Sequence, residues 1–94
     1  MHEARLIRDL LSRIEQVARD EQADRVERVR IEIGAQSHVT PESLRAQFEL
    51  HAHGSVAQAA ALDFTRSNDQ TAAESHDIRL VSLTVSDTEV GVAT

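Results

Sequence analysis

The sequence predicts an α+β fold: a two-layer sandwich with two helices on one face of a small, about three-stranded sheet, in the order α-β-α-β-β. Three observations predict it. The chain opens with a long segment of 3.6-residue apolar periodicity, and segments of two-residue alternation follow. Its 94 residues leave room for one modest core and no second one. That core must be aliphatic, because Phe48 and Phe64 are the aromatic residues of a chain that is 40% hydrophobic.

Residues 4–21 read as the first helix. Leu6, Ile7, Leu10, Leu11, Ile14, Val17 and Ala18 form one apolar stripe, and Arg5, Arg8, Asp9, Arg13, Glu15, Arg19 and Asp20 occupy the opposite face. Residues 25–33 read as a strand, with Val29, Ile31 and Ile33 alternating with Arg28, Arg30 and Glu32. Gly34 ends it, and 35–39 is a loop. Thr40 is a good N-cap for a second helix, with Pro41 at its first position and Glu42 beside the positive end of its dipole. That helix runs to about residue 53, turning Leu44 and Phe48 inward, and Gly54 stops it. Residues 60–65 form a short strand with Leu62 and Phe64 on one face. Residues 66–77 are a polar connection. Residues 78–85 form the last strand, with Ile78 and Leu80 on one face and Val81, Leu83 and Val85 on the other. The domain so defined spans 1–85, and the tail 86–94 either adds a short strand or frays.

Composition excludes several function classes. There is no cysteine, hence no disulfide, thiolate zinc site or cysteine nucleophile. All ten basic residues are Arg, which removes Schiff-base and P-loop lysine chemistry. A net charge of −6 would repel a phosphate backbone, so no nucleic-acid partner is expected. No apolar run approaches the roughly 18 residues of a membrane span, and the start lacks a signal-peptide stretch; a cytoplasmic, non-membrane protein is expected. No Ser/His/Asp spacing stands out, and a domain this small offers little enclosed volume, so an enzyme is not expected.

The start of the chain carries the most chemistry. The Met1 amine, the backbone amide of His2 and the His2 imidazole can close adjacent chelate rings on one ion, and Glu3 can add an oxygen. Such nitrogen-rich, near-planar sets suit Ni(II) or Cu(II), and their affinity falls as pH falls because the ligands must lose protons. Read alone, the same residues are more simply a polar lead into a helix, with Glu3 serving its dipole.

The wider frame decides between these readings. It runs from M-H-E at 1–3 through R-V-E-R-V-R-I-E-I-G-A at 25–35 and V-T-P-E-S-L-R-A-Q-F-E at 39–49 to A-L-D-F at 61–64. In that order and spacing it resembles the HypA/HybF family of hydrogenase nickel-incorporation metallochaperones over residues 1–65. D-I-R-L-V-S-L-T-V at 77–85 resembles the strand that closes the family's sheet. The resemblance implies a non-enzymatic Ni(II) carrier with nickel on Met1, His2 and Glu3. It implies transfer with a partner GTPase (HypB-like) to the large subunit of [NiFe]-hydrogenase, or service to urease.

Family members insert a zinc ribbon with two Cys pairs between the last two strands. Here that interval is residues 66–77, without cysteine, so no structural zinc is expected. Many members also carry an acidic residue where this chain has Thr40; His38 and Glu42 are the neighbours that could replace it. His38 is otherwise an exposed loop histidine, and Glu42 a helix-dipole partner. His51 and His53 point in different directions on a helix and would converge only if it frays after Leu50. His76 reads as solvated. Without a ribbon over it, a sheet edge is free to pair with a second copy and give a homodimer. The alternative function is a metal-free protein–protein interaction module that keeps the scaffold and its partner surface.

Overall fold

The structure, a computed structural model, describes residues 2–68 and 78–92, with the backbone alone for His2 and Glu3. The opening stripe becomes helix α1, His2–Asp20. Ile7 and Ile14 are wholly buried, and Leu10, Leu11 and Ala18 nearly so, as the 3.6-residue period demands. A Schellman motif ends the helix: the Ala23 N–H donates to the Ala18 carbonyl at 2.8 Å and the Gln22 N–H to the Arg19 carbonyl at 3.0 Å. Gln22 takes the left-handed position, at φ 56°, that glycine more often fills. Ala23 then packs on the core.

Strand β1 is Arg28–Ile33, three residues shorter at its start than its pattern predicts. Residues 26 and 27 stitch neighbouring segments together instead. The Val26 N–H donates to the Val56 carbonyl at 2.9 Å and the Glu27 N–H to the Thr84 carbonyl at 2.8 Å, while the Glu27 carbonyl accepts from the Ala61 N–H at 2.9 Å. Helix α2, Pro41–Ala52, starts as predicted: Thr40 is extended, and its Oγ1 accepts from the Ser43 N–H at 3.1 Å. Leu44, Phe48 and Ala52 are buried. Gly54, at φ 79°, turns the chain out.

Strands β2 (Ala61–Arg66), β3 (Ile78–Val85) and β4 (Thr88–Gly91) complete a four-stranded sheet of order β2-β1-β3-β4. β1 and β2 are parallel, joined by the α2 crossover, and the other pairings are antiparallel. The sheet therefore has four strands rather than about three. Of the two outcomes open to the tail, the strand is the one that forms. Ser86 and Asp87, at φ 50° and 64°, make the two-residue turn that sets Thr88 opposite Val85.

The faces of β3 differ from those expected. Arg30 pairs with Ser82 but Ile31 pairs with Leu80, so Val81 is an extra residue, a β-bulge. The bulge reverses the phase of the strand. Ile78 and Leu80 before it, and Leu83 and Val85 after it, all share the helix-covered face with Ile33, Ile31 and Val29. Apolar residues at both parities are thus two halves of one buried face, rather than a strand covered on both sides. The opposite face is polar and, among the described residues, is crossed by three ion pairs: Arg28–Asp63 at 2.8 Å, Arg30–Glu89 at 3.1 Å and Arg79–Glu32 at 3.1 Å. The edges through which a second copy would have to pair are β2 and β4. Among the described residues no helix is long and apolar enough to cross a membrane.

The topology sorts the molecule into two ends. The bond between Val26 and Val56 ties the exit from α1 to the exit from α2, so both helices stop at the end where β1 and β2 begin. Their N-termini therefore point to the opposite end. There β1 finishes, the 34–39 loop turns into α2, β2 finishes and β3 starts.

Candidate metal site at the start of the first helix

His2 is the first residue of α1, and this has a chemical consequence. The first four N–H groups of a helix have no intrahelical acceptor. The His2 amide can therefore give its proton up to a metal without costing the helix a hydrogen bond. A metal chelated by the Met1 amine and the His2 amide would leave the helix intact. The positive end of the helix dipole disfavours a cation there; the charge of a deprotonated amide and of a carboxylate offsets it. Met1 and the side chains of His2 and Glu3 lie outside the described residues. Among the described residues, no three His, Asp or Glu side chains form a group that could hold a metal ion.

His38 stands at the same end of the molecule. Its neighbours Ser37 and Val39 are buried, at 9% and 6% exposure, and His38 itself is exposed. Val39 shares the core with Ile7, the first fully buried residue of α1. The loop is built rather than loose. The Ser37 N–H donates to the Gly34 carbonyl at 3.1 Å, and the Ser37 Oγ accepts from the Val39 N–H at 3.2 Å. The guanidinium of Arg66, the last residue of β2, closes the loop from outside. It donates to the carbonyls of Gly34 at 3.2 Å, Ser37 at 3.3 Å and Val39 at 3.3 Å. From sequence, Arg66 reads only as the start of a polar connection; no local pattern announces a residue whose partners lie 27 to 32 positions away.

The other candidates separate cleanly. The Thr40 hydroxyl caps α2. Glu42 is exposed in the first turn of α2, where its charge suits the dipole. α2 stays helical through Ala52, with His51 in its last turn and His53 as the cap. His51 and His53 therefore keep their different directions, at the end of the molecule away from the start of α1. His76 lies outside the described residues.

The family model described as "Hydrogenase/urease nickel incorporation, metallochaperone, hypA" matches residues 1–87. The chain belongs to the HypA family. Among similar HypA proteins, the hydrogenase maturation factor HypA of Dechloromonas aromatica (strain RCB) is 48% identical over 63 residues, 67% of this chain and 56% of that protein. HypA of Rhodopseudomonas palustris (strain TIE-1) is 44% identical over the same length, and HypA of Rhizobium leguminosarum bv. viciae is 38% identical over 66 residues. The chain spans about half the length of these HypA relatives. The solution structure of the Ni metallochaperone HypA from Helicobacter pylori superimposes with a TM-score of 0.77 at 21% identity, covering 88% of this chain and 96% of that one. At that identity the likeness is one of fold, and it places this α+β sandwich among HypA structures.

Proposed function

We propose that this chain is a nickel carrier for hydrogenase maturation that holds one Ni(II) at the start of α1. The observation that carries the reading is the family match from residue 1 to residue 87, which takes in M-H-E at 1–3. In this reading the Met1 amine, the amide nitrogen and imidazole of His2, and the Glu3 carboxylate hold the ion. Nickel is cargo, not a resident cofactor, and the chain catalyses nothing. An ion held at an exposed terminus is surrendered by ligand exchange to a deeper site. The receivers are a nickel-chaperone GTPase and the hydrogenase large subunit. The chain does this without a structural zinc: it has no cysteine, and β2 and β3 both pair with β1 across the short interval between them.

Equilibrium dialysis of Ni(II) against the chain and its His2→Ala variant tests this reading. One ion per chain is expected at pH 7.5, with at least a tenfold loss in the variant. Bound nickel should also fall between pH 7.5 and 6, because protons compete for the amine, amide and imidazole nitrogens. Equal binding by the variant would refute the site. No binding by either would leave the scaffold as an interaction module without metal.

A further inference from the structure

The two edges of the sheet differ. β2 is guarded by charge: it carries Asp63 and Arg66, and the Arg45 guanidinium lies 5.4 Å from the centre of the Phe64 ring. β4 has no such guard. Its one charged residue, Glu89, is turned onto the polar face, where its carboxylate accepts from the Ser82 hydroxyl at 2.6 Å and pairs with Arg30 at 3.1 Å. We propose that the outer edge of β4 pairs antiparallel with β4 of a second copy of this chain, about a two-fold axis at Val90, and joins the two sheets into one. The family match ends at residue 87, so this edge starts just past it, and the pairing involves neither nickel nor residues 1–3.

The register follows from hydrogen bonds already made. The Val92 N–H donates inward to the Val81 carbonyl at 2.9 Å, and backbone groups alternate sides along an antiparallel strand. Thr88 and Val90 therefore also turn inward to β3. Glu89 and Gly91 turn their N–H and C=O groups outward, where no strand meets them among the described residues. An axis at Glu89 would set two carboxylates directly opposite each other, which is unfavourable. An axis at Gly91 would put two residues without side chains at its centre. An axis at Val90 sets each Glu89 opposite the copy's Gly91, and each such pair exchanges both its N–H···O=C bonds. It also brings Val90 against Val90 and Thr88 against Val92 on the helix-covered face, where Val90 and Val92 are half-buried against the core, so their remaining apolar area leaves water. The same register accounts for Gly91. Its own chain does not require a glycine there, because a Cβ would meet nothing within 4 Å and its φ is not left-handed. Glycine inside a strand weakens it; opposite the copy's Glu89 it leaves the contacts of that carboxylate with Arg30 and Ser82 undisturbed. A contact of one short strand is small, so the association is weak. Each chain carries a net charge of −6, so the copies repel and added salt should strengthen their pairing.

The chain has no cysteine, so a single introduced thiol reports on this geometry. Val90→Cys places two thiols at the non-hydrogen-bonded position on the axis, where Cα atoms stand about 4.5 Å apart, within disulfide range. Thr88→Cys is the control, because it faces the copy's Val92 rather than its own equivalent. With EDTA present and diamide as the oxidant, which takes up the two protons and two electrons of the thiol pair, Val90→Cys should form cross-linked dimer about tenfold faster than Thr88→Cys. In sedimentation equilibrium of the unaltered chain from about 20 µM to about 1 mM, the mean mass should rise from 10.4 kDa toward twice that value, and further at higher salt. Gly91→Pro removes an outward N–H and no inward one, and should hold the chain at monomer mass with its circular dichroism kept. Should Gly91→Pro fail to fold, the two cysteine variants decide. Monomer mass throughout, or equal cross-linking of the two cysteine variants, would overturn the proposal. So would a dimer that a folded Gly91→Pro leaves intact, since its contact would lie elsewhere.

Discussion

At the scale of single residues, the start of the second helix is legible in the sequence and the Arg66 clamp is not. Thr40, Pro41 and Glu42 announce an N-terminus because each acts within a turn of its own position, and the structure shows the Thr40 cap bonded at 3.1 Å. Thr40→Ala removes the acceptor for one orphan N–H and should cost about 1 kcal/mol of stability in urea denaturation, with Thr40→Ser close to wild type. Arg66 is the opposite case. Its acceptors lie in another loop, brought near only when β2 pairs in parallel with β1, so a residue that clamps the 34–39 loop from outside leaves no local trace. Gln22 is similar in kind: a Schellman turn with glutamine in the left-handed position lacks the glycine that flags most helix ends.

At the scale of elements, periodicity placed both helices and the three longer strands, because burial on one face writes itself into residue spacing. It failed where the backbone changes phase. The β3 bulge at Val81 hides a one-sided strand behind a pattern with apolar residues at both parities, and the turn into β4 uses Ser86 and Asp87, with no glycine to signal it. The bulge makes a sharp prediction. Deleting Val81 would remove the extra residue and leave Ile78, Leu80, Leu83 and Val85 in unbroken alternation on the buried face, with the pairing to β1 unchanged. Each of these side chains keeps its roughly 1.5–3 kcal/mol of burial, so the deletion variant should retain a cooperative thermal transition by circular dichroism. Val81→Thr keeps the backbone count and should melt within a few degrees of wild type. A deletion variant without a cooperative transition would mean that the fold needs the bulge itself and not only the one-sided alternation.

At the scale of the whole molecule, the topology gathers the start of α1, the 34–39 loop, the end of β2 and the start of β3 at one end. The chemistry proposed for this chain is concentrated there, and the sequence motif M-H-E marks it without its surroundings. The polar sheet face contributes little to stability. The Arg30–Glu89 side chains are 45% and 49% exposed, so replacing both with Gln should change the unfolding free energy in urea denaturation by no more than about 0.5 kcal/mol, and less at high salt. The aliphatic core between sheet and helices holds the fold, so in the proposed reading an ion could be bound and released at the start of α1 without unfolding. On the same reading, nickel needs the free Met1 amine beside the start of α1. Calorimetric titration of Ni(II) into the chain beginning at Met1, beside the same chain with Gly-Ser placed before Met1, tests it most directly. One-site binding of micromolar strength or better is expected for the first chain, and its loss in the second. Equal binding by the two would contradict it.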